Sequence, residues 1–435
     1  MAKVLFQSTN PATFRSTSIG YLYEVAQEHE VVLLTEKLDS YTEKVLSDRS
    51  LFPGLEKVIL FESPFHGNIF TKNYRLRTIM KKTIGTYRPD IVVSHTDTWP
   101  AEMYAMRFAK KNAATTVAIQ SGFRIAGQHN LLLWSSLMNA QNKMPKFLPF
   151  SVRMFLVKLK KLTGYVLYHW ILPLLAREMP FFGKTSFVFW HDSPGLRDAD
   201  YSVVFSKRDA EICVQDGVSP KKIRILGHPL EHKATKRFFE KSYFSKNKEM
   251  KNQKTLTIMW SDDKIGFTEE NHALIPEEKM QENRVRVVKL ISEKLADWNI
   301  IIKPHPSIKS TSTIKEFLGE IAENVFIANP ADPADMYIER SSCIVGMPPP
   351  STTLFTAVKQ DPEKIVLSLN LNNEFVGDSY KNFEGIEYID SEGKFIEILS
   401  AIKNNTYKKE RSIAVEFDFS DAGKLIQHLY DKRIY

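Results

Sequence analysis

A chain of 435 residues, 43% hydrophobic and 25% charged, has the make-up of a folded protein. At roughly 100–200 residues per domain it holds about two or three domains, and disordered, collagen-like and low-complexity classes are excluded. Its formal net charge of +8, from 59 basic and 51 acidic residues, favours an anionic partner: nucleic acid, a phosphorylated substrate or an acidic membrane face.

Met1-Ala2-Lys3 leads directly into the strand-like Val4-Leu5-Phe6, so no secretory signal is expected. No apolar run reaches the roughly 18 residues of a spanning helix. Lys3–Gln7 predicts a strand, followed by a polar loop over Ser8–Ser18 and a helix running to His29. Val31–Thr35 and Val58–Phe61 predict strands. The basic stretch Tyr74–Tyr87 predicts a helix that ends at Arg88-Pro89 and feeds the strand Asp90–Ser94. Pro100–Lys111 predicts a helix and Thr116–Ile119 a strand. Apolar strands separated by helices imply a parallel sheet covered on both faces.

The stretch from about Leu131 to Trp190 breaks this rhythm. It interleaves Leu, Phe, Trp and Tyr with lysines and arginines, and Glu178 is its one acid. Then Tyr201–Phe205 predicts a strand, Lys207–Gln215 a helix and Ile223–Leu226 a strand. Lys233–Lys254 reads as a solvated, lysine-rich linker. A second set follows: the strand Thr255–Met259, the helix Glu278–Ala296, the strand Ile300–Lys303, and further apolar runs at Ile314–Ala322, Val325–Ala328, Cys343–Val345, Leu354–Val358 and Ile365–Leu369. A helical C-terminus completes it. The cysteines Cys213 and Cys343 have neither disulfide-framework nor metal-ligand spacing, which suits a reducing compartment. The expected fold is α/β with two facing Rossmann-like domains: residues 1–232 with the helical insert at about 131–190, the linker 233–254, and residues 255–435.

Open parallel sheets bind ligands beyond the carboxyl ends of their strands, so the loops there are the candidates. Ser94-His95-Thr96-Asp97-Thr98-Trp99-Pro100 puts His95 and Asp97 at a strand end. Asp97 or Thr98 equally suits a helix cap, since Pro favours the first turn. After the next strand, Gln120-Ser121-Gly122-Phe123-Arg124 offers an arginine for a phosphate or carboxylate, or is an ordinary surface turn. Ile302-Lys303-Pro304-His305-Pro306 holds a histidine between two prolines, which reduces the entropy cost of fixing it, and Lys303 and His305 suit phosphate. Pro348-Pro349-Pro350-Ser351-Thr352-Thr353 opens a helix with hydroxyls and free amides, an anion site or a plain cap. Asp262-Asp263 follow the first strand of the second half and suit sugar hydroxyls or a polar turn.

Together these pieces resemble the glycosyltransferase B (GT-B) architecture, in particular the branch containing bacterial UDP-N-acetylglucosamine 2-epimerases. The matching segments are His95-Thr96-Asp97-Thr98, Gln120-Ser121-Gly122-Phe123-Arg124, Asp198 to Ser206, Gly217-Val218, Gly227-His228-Pro229 and Lys303-Pro304-His305-Pro306. Three departures weigh against an epimerase. The family's N-terminal Gly-Thr-Arg-Pro-Glu loop is Ser8-Thr9-Asn10-Pro11-Ala12 here. Its acid before Ala-Gly-Leu-Arg is Gln120. Its Ser-Gly-Gly followed by paired Glu, whose acid holds the ribose, is replaced by Ser351-Thr352-Thr353-Leu354-Phe355-Thr356-Ala357. The Lys-Pro-His-Pro and Ser-Thr-Thr segments are instead similar to capsule and lipopolysaccharide glycosyltransferases that use CMP-activated sugars, and to glycerophosphotransferases that use a CDP-activated donor.

The resemblance implies a glycosyltransferase that moves a sugar from a CMP- or UDP-activated donor to a glycan or glycolipid acceptor. His305, Lys303, Ser351, Thr352 and Thr353 would neutralise the departing phosphate, with Asp262 and Asp263 also on the donor side. Fixed donors of this kind are a large catalytic term. Inverting chemistry needs a base: Asp97 first, His95 second, then His191 or Asp192, with Gln120 and Arg124 lining the acceptor side. Fixed phosphate donors require no divalent metal, so neither a metal nor another cofactor is expected. The basic, aromatic insert suits either the interface of an anionic membrane or a buried helical subdomain. The expected location is cytoplasmic, peripheral on the inner membrane face. No zinc module, RNP-type motif or compact basic recognition helix is present, so nucleic acid is not the expected partner. The alternatives are a glycerophosphotransferase, an epimerase-like enzyme and, more distantly, a non-enzymatic basic membrane-surface or nucleic-acid-binding protein.

Overall fold

The computed structural model describes residues 1–8, 18–36, 38, 40–61, 69–95, 97, 100–120, 144–145, 147–167, 171, 174, 194–229, 254–260, 266–267, 274–275, 277–305, 308, 310–320, 322–330, 332–347, 352–371, 383, 385–409 and 417–434. The chain divides into two compact units, Met1–Leu226 with Phe417–Tyr435, and Gly227–Glu416.

The first unit runs β1 (Lys3–Ser8), α1 (Ile19–Ala26), β2 (Glu30–Thr35), α2 (Ser40–Ser47), β3 (Leu55–Leu60), α3 (Ile69–Tyr87), β4 (Ile91–Ser94), α4 (Pro100–Lys111), β5 (Thr115–Ile119), α5 (Phe150–Val166), β6 (Tyr201–Val204), α6 (Lys207–Gln215) and β7 (Ile223–Ile225). Its seven strands are parallel in the order β3-β2-β1-β4-β5-β6-β7. Successive residues face opposite sides of a strand, and here both sides are cores. Leu5, Leu34 and Val92 pack with Met80 and Ile84 of α3 and Tyr104 and Phe108 of α4. Phe6 and Val93 line a different space with Tyr21 and Val25 of α1. That two-sided burial explains the unbroken apolar runs.

The second unit runs β8 (Thr255–Trp260), β9 (Gly266–Phe267), β10 (Leu274–Ile275), α7 (Glu277–Lys294), β11 (Asn299–Pro304), α8 (Ser312–Leu318), β12 (Val325–Ile327), α9 (Ala334–Arg340), β13 (Cys343–Gly346), α10 (Thr353–Gln360), β14 (Ile365–Leu369), β15 (Glu387–Ile389) and α11 (Glu392–Lys403). Six strands form a parallel sheet in the order β12-β11-β8-β13-β14-β15, and β9 and β10 form a small antiparallel pair. Ile300 and Ile302 join Val287 and Ile291 of α7 and Phe395 and Leu399 of α11 on one face. Ile301 joins Met336 and Tyr337 of α9 on the other. The expected two-domain α/β architecture is the one found.

The C-terminal helix α12 (Ala422–Ile434) departs from the expected division, which assigns residues 255–435 to the second domain. It packs in the first unit because its apolar stripe fits the open side of that sheet: Leu425 and Ile426 share the space lined by Phe6, Tyr21 and Val25. Polar contacts set its register. Glu24 accepts the Ala422 backbone N–H at 2.9 Å, His29 Nε2 lies 3.0 Å from the Gly423 carbonyl, and Asp418 accepts the Ile225 N–H at 2.8 Å. The expected linker at 233–254 lies outside the described residues apart from Lys254.

Apolar docking outweighs the surface ion pairs in holding α12. Leu425 is 2% exposed, so Leu425→Ala should cost about 2–5 kcal/mol of stability in urea unfolding. Lys424→Ala, which removes only the exposed pair with Glu28, should leave the midpoint nearly unmoved. Equal effects from the two substitutions would refute this ordering.

Candidate active site

In the first unit, strands β1 to β3 advance toward one sheet edge and β4 to β7 toward the other, so the order reverses between β1 and β4. Doubly wound sheets bind ligands at such a switch point. Ser8 ends β1 and His95 follows β4. His95 Nε2 lies 3.1 Å from Ser8 Oγ and also hydrogen-bonds Ser18 Oγ beside the start of α1. The imidazole is buried, and its desolvation lowers its pKa from 6.5 to about 3, so it is neutral. Its Nδ1 is buried without a hydrogen-bond partner among the described residues. A ring this weakly basic is a poor resting-state base; it ties the end of β1 to the start of α1.

Asp97 is also fully buried. Its Oδ2 accepts the backbone N–H groups of Arg197 at 2.7 Å and Ala199 at 3.0 Å, so it fastens the turn that leads into β6. Burial raises its pKa despite these hydrogen bonds, and its Oδ1 has no partner among the described residues. Beside it, Arg197 forms an ion pair with Asp198 at 3.4 Å, and Arg107 reaches the same carboxylate at 3.2 Å. Burial lowers the Arg197 pKa only to about 10, leaving it cationic. Gln120 is 1% exposed; its side-chain carbonyl accepts the Phe205 N–H at 3.2 Å and its own N–H donates to Val203, joining β5 to β6.

In the second unit the order reverses between β8 and β13. His305, just past β11, donates its backbone N–H to the Trp260 carbonyl at the end of β8, at 2.8 Å, and its side chain is exposed. The loop is thereby held at the strand ends while the ring stays accessible. Lys303 does not share that exposure. The sequence reading hands its ammonium to a phosphate, but it is 3% exposed and donates to the carbonyls of Pro304 and Pro330 at 2.5 and 3.2 Å. Those bonds hold the loops after β11 and β12.

Beyond β13, Thr352 and Thr353 are half-buried at the start of α10, and Thr352 makes no side-chain cap bond. A Cβ on Gly346 would sit 2.7 Å from Leu354 Cδ1, so any larger residue there must push this buried leucine aside. In the sequence His228 stands out only as part of Gly227-His228-Pro229. It is 5% exposed, and its Nδ1 lies 2.9 Å from Thr356 Oγ1 on α10 and 3.1 Å from the Pro229 carbonyl. Burial lowers its pKa to about 4. Nothing in the spacing of Ser18 or Arg197 signals them; only their strand-end neighbours do. Ser351, Asp262, Asp263, Arg124, His191 and Asp192 lie outside the described residues. Among the described residues no group of three or more His, Cys, Asp or Glu side chains is placed to hold a metal ion.

No family model matches the sequence, and no curated protein does either. Solved structures share the fold over nearly the whole chain. The UDP-GlcNAc 2-epimerase of Methanocaldococcus jannaschii is 12% identical, with 99% of each chain covered and a TM-score of 0.55. That of Neisseria meningitidis, bound to UDP-GlcNAc, is 13% identical, covering 99% of this chain and 100% of its own, with a TM-score of 0.53. A glycotransferase of kitacinnamycin is 11% identical, with 99% of each chain covered and a TM-score of 0.52. The chain therefore has the GT-B fold of these enzymes, as the motif order implies.

The two buried imidazoles make the protein acid-sensitive. Below pH 6.5 the unfolded chain takes up protons that native His95 refuses until about pH 3 and native His228 until about pH 4. Stability from these rings is present above pH 6.5 and is lost as pH falls below it, by at most about 1.4 kcal/mol per pH unit per ring. Urea unfolding from neutral pH down to about pH 4.5 should show this slope. His95→Gln should remove that ring's share of the slope and leave the share of His228; an unchanged slope would mean the His95 ring is not held neutral.

Proposed function

We propose that the chain is a nucleotide-sugar enzyme, and within that class a glycosyltransferase that passes a sugar from a CMP- or UDP-activated donor to a surface-polysaccharide acceptor, lipid-linked and met at the inner face of the cytoplasmic membrane. The observation that carries this reading is His305: an exposed imidazole whose backbone is anchored on the end of β8, next to the second sheet's switch point. The start of α10 follows β13 on the other side of that point, and a helix start favours a phosphate. As the bond to the anomeric carbon breaks, negative charge grows on the phosphate oxygens, and His305 with the helix-start donors stabilises it. Asp97 is the first candidate for the base that takes the acceptor proton, its pKa raised by burial. The Neisseria meningitidis neighbour, a complex with UDP-GlcNAc, supports a nucleotide-sugar ligand.

The epimerase neighbours favour a second reading, inversion at C2 of a UDP-sugar. Gln120 weighs against it, because an amide takes no proton and its carbonyl oxygen is already bonded to Phe205 N–H.

A thermal-shift panel of CMP, CDP, UDP and GDP tests the class. One cytidine or uridine nucleotide should raise the melting temperature, by about 2.7 kcal/mol of stabilisation at a hundredfold excess over Kd. His305→Ala should abolish that shift without lowering the unliganded melting temperature. No response to any nucleotide, or an undiminished response in His305→Ala, would defeat the reading. The product formed from the responding sugar nucleotide, a lengthened glycan or a C2 epimer, separates the two enzymes.

Asp97→Asn keeps an oxygen for the Arg197 and Ala199 N–H groups and removes the base. Turnover should fall about 100-fold or more with folding intact. Retained turnover would leave Asp97 as a loop fastener alone.

A further inference from the structure

Helix α5 turns an apolar stripe to the outside. At about 100° per residue, Val152, Phe155, Leu156, Leu159 and Leu162 fall within roughly 120° of arc. They are 40%, 63%, 36%, 47% and 47% exposed. Met154 and Val157, on the opposite arc, are 7% and 4% exposed and form the packed side. The cations sit between the two arcs: Lys158 on one flank, Arg153 and Lys160 on the other. Just before the helix, Phe147 is 84% exposed. Solvated apolar patches of this kind mark a surface that something covers.

Charge selects the occupant. The sequence has no acidic residue between Glu102 and Glu178, which favours a partner whose surface carries negative charge. A second copy would bring the same cations against themselves on a chain of net charge +8. Lysine stems flanking an apolar stripe match a bilayer surface: the stripe enters the acyl boundary while the ammonium groups reach the headgroup phosphates on either side. Among the described residues no helix is long and apolar enough to cross a membrane, so contact along the surface is the geometry open to α5.

We propose that α5 lies in the plane of a bilayer interface containing anionic lipid, its Val152–Leu162 stripe embedded and Arg153, Lys158 and Lys160 pairing with headgroups. This deepens the membrane-side acceptor reading above, but it stands on surface chemistry and does not need nucleotide binding. Co-sedimentation of the full chain with vesicles tests it, using phosphatidylcholine with about 30% phosphatidylglycerol against phosphatidylcholine alone. The chain should prefer the anionic vesicles by about tenfold or more, and salt should weaken that preference. Phe155→Ser with Leu159→Ser should lower vesicle affinity by about tenfold or more. Lys158→Glu with Lys160→Glu should remove the preference for anionic lipid while keeping the stripe.

Melting temperature and the nucleotide-induced shift, measured on each variant, report folding and donor binding separately. A failure of vesicle binding is then distinguishable from a failure of the nucleotide reading. The proposal falls if the unaltered chain ignores anionic vesicles at low salt, or if both folded variants bind them as the unaltered chain does. It falls equally if sedimentation velocity shows the serine variant splitting a dimer while vesicle binding persists, since a second copy then covers the stripe.

Discussion

The constraint that shapes both units is the burial of each sheet on both faces. A strand with apolar neighbours above and below has no room for an unpaired polar side chain along its length. Polar side chains are therefore pushed to the ends, where the backbone leaves the sheet, and the candidate site residues lie there. Ser8, His95 and Gln120 in the first unit, and His305 and the Thr352–Thr353 helix start in the second, all occupy such places. Most of these ends are braced from behind. Asp97 holds the turn into β6, Lys303 holds the loops after β11 and β12, and Gly346 admits Leu354 against the end of β13.

The histidines divide by environment. His95 and His228 are stripped of water, neutral and tied to hydroxyls, so they organise backbone. His305 is exposed while its backbone is pinned at the end of β8. A phosphate gains most from a donor that is positioned in advance yet not already occupied. Lys303, although one residue from the strand end and cationic, fails the second condition because carbonyls hold its ammonium.

Much of the fold was legible because two-sided burial writes itself as short apolar runs. Val92-Val93, Ile300-Ile301-Ile302 and Val366-Leu367 announce strands by composition alone. β15 and α2 escaped that reading: Glu387–Ile389 is three residues long and half-buried, and Ser40–Ser47 is mostly polar. The site was legible as a set of loops and not as roles. Sequence puts Asp97 beside His95, but its hydrogen bonds reach a turn about a hundred residues away, and no local spacing encodes that. His228 and Thr356 likewise meet across more than a hundred positions. The C-terminal helix has the same cause: its apolar stripe reads as a helix, while the surface it fits is set by residues near the start of the chain.

That return of α12 orders the events of synthesis. The second unit is an insertion in the first, since the chain leaves the first at Leu226 and re-enters it at Phe417. A ribosome delivers the inserted unit whole, so it can close while translation continues. The earlier-made unit cannot: the apolar flank formed by Phe6, Tyr21 and Val25 stays uncovered until residues 422–434 emerge. The part made first is completed last, and through that interval its unfinished flank is the surface a chaperone would shield.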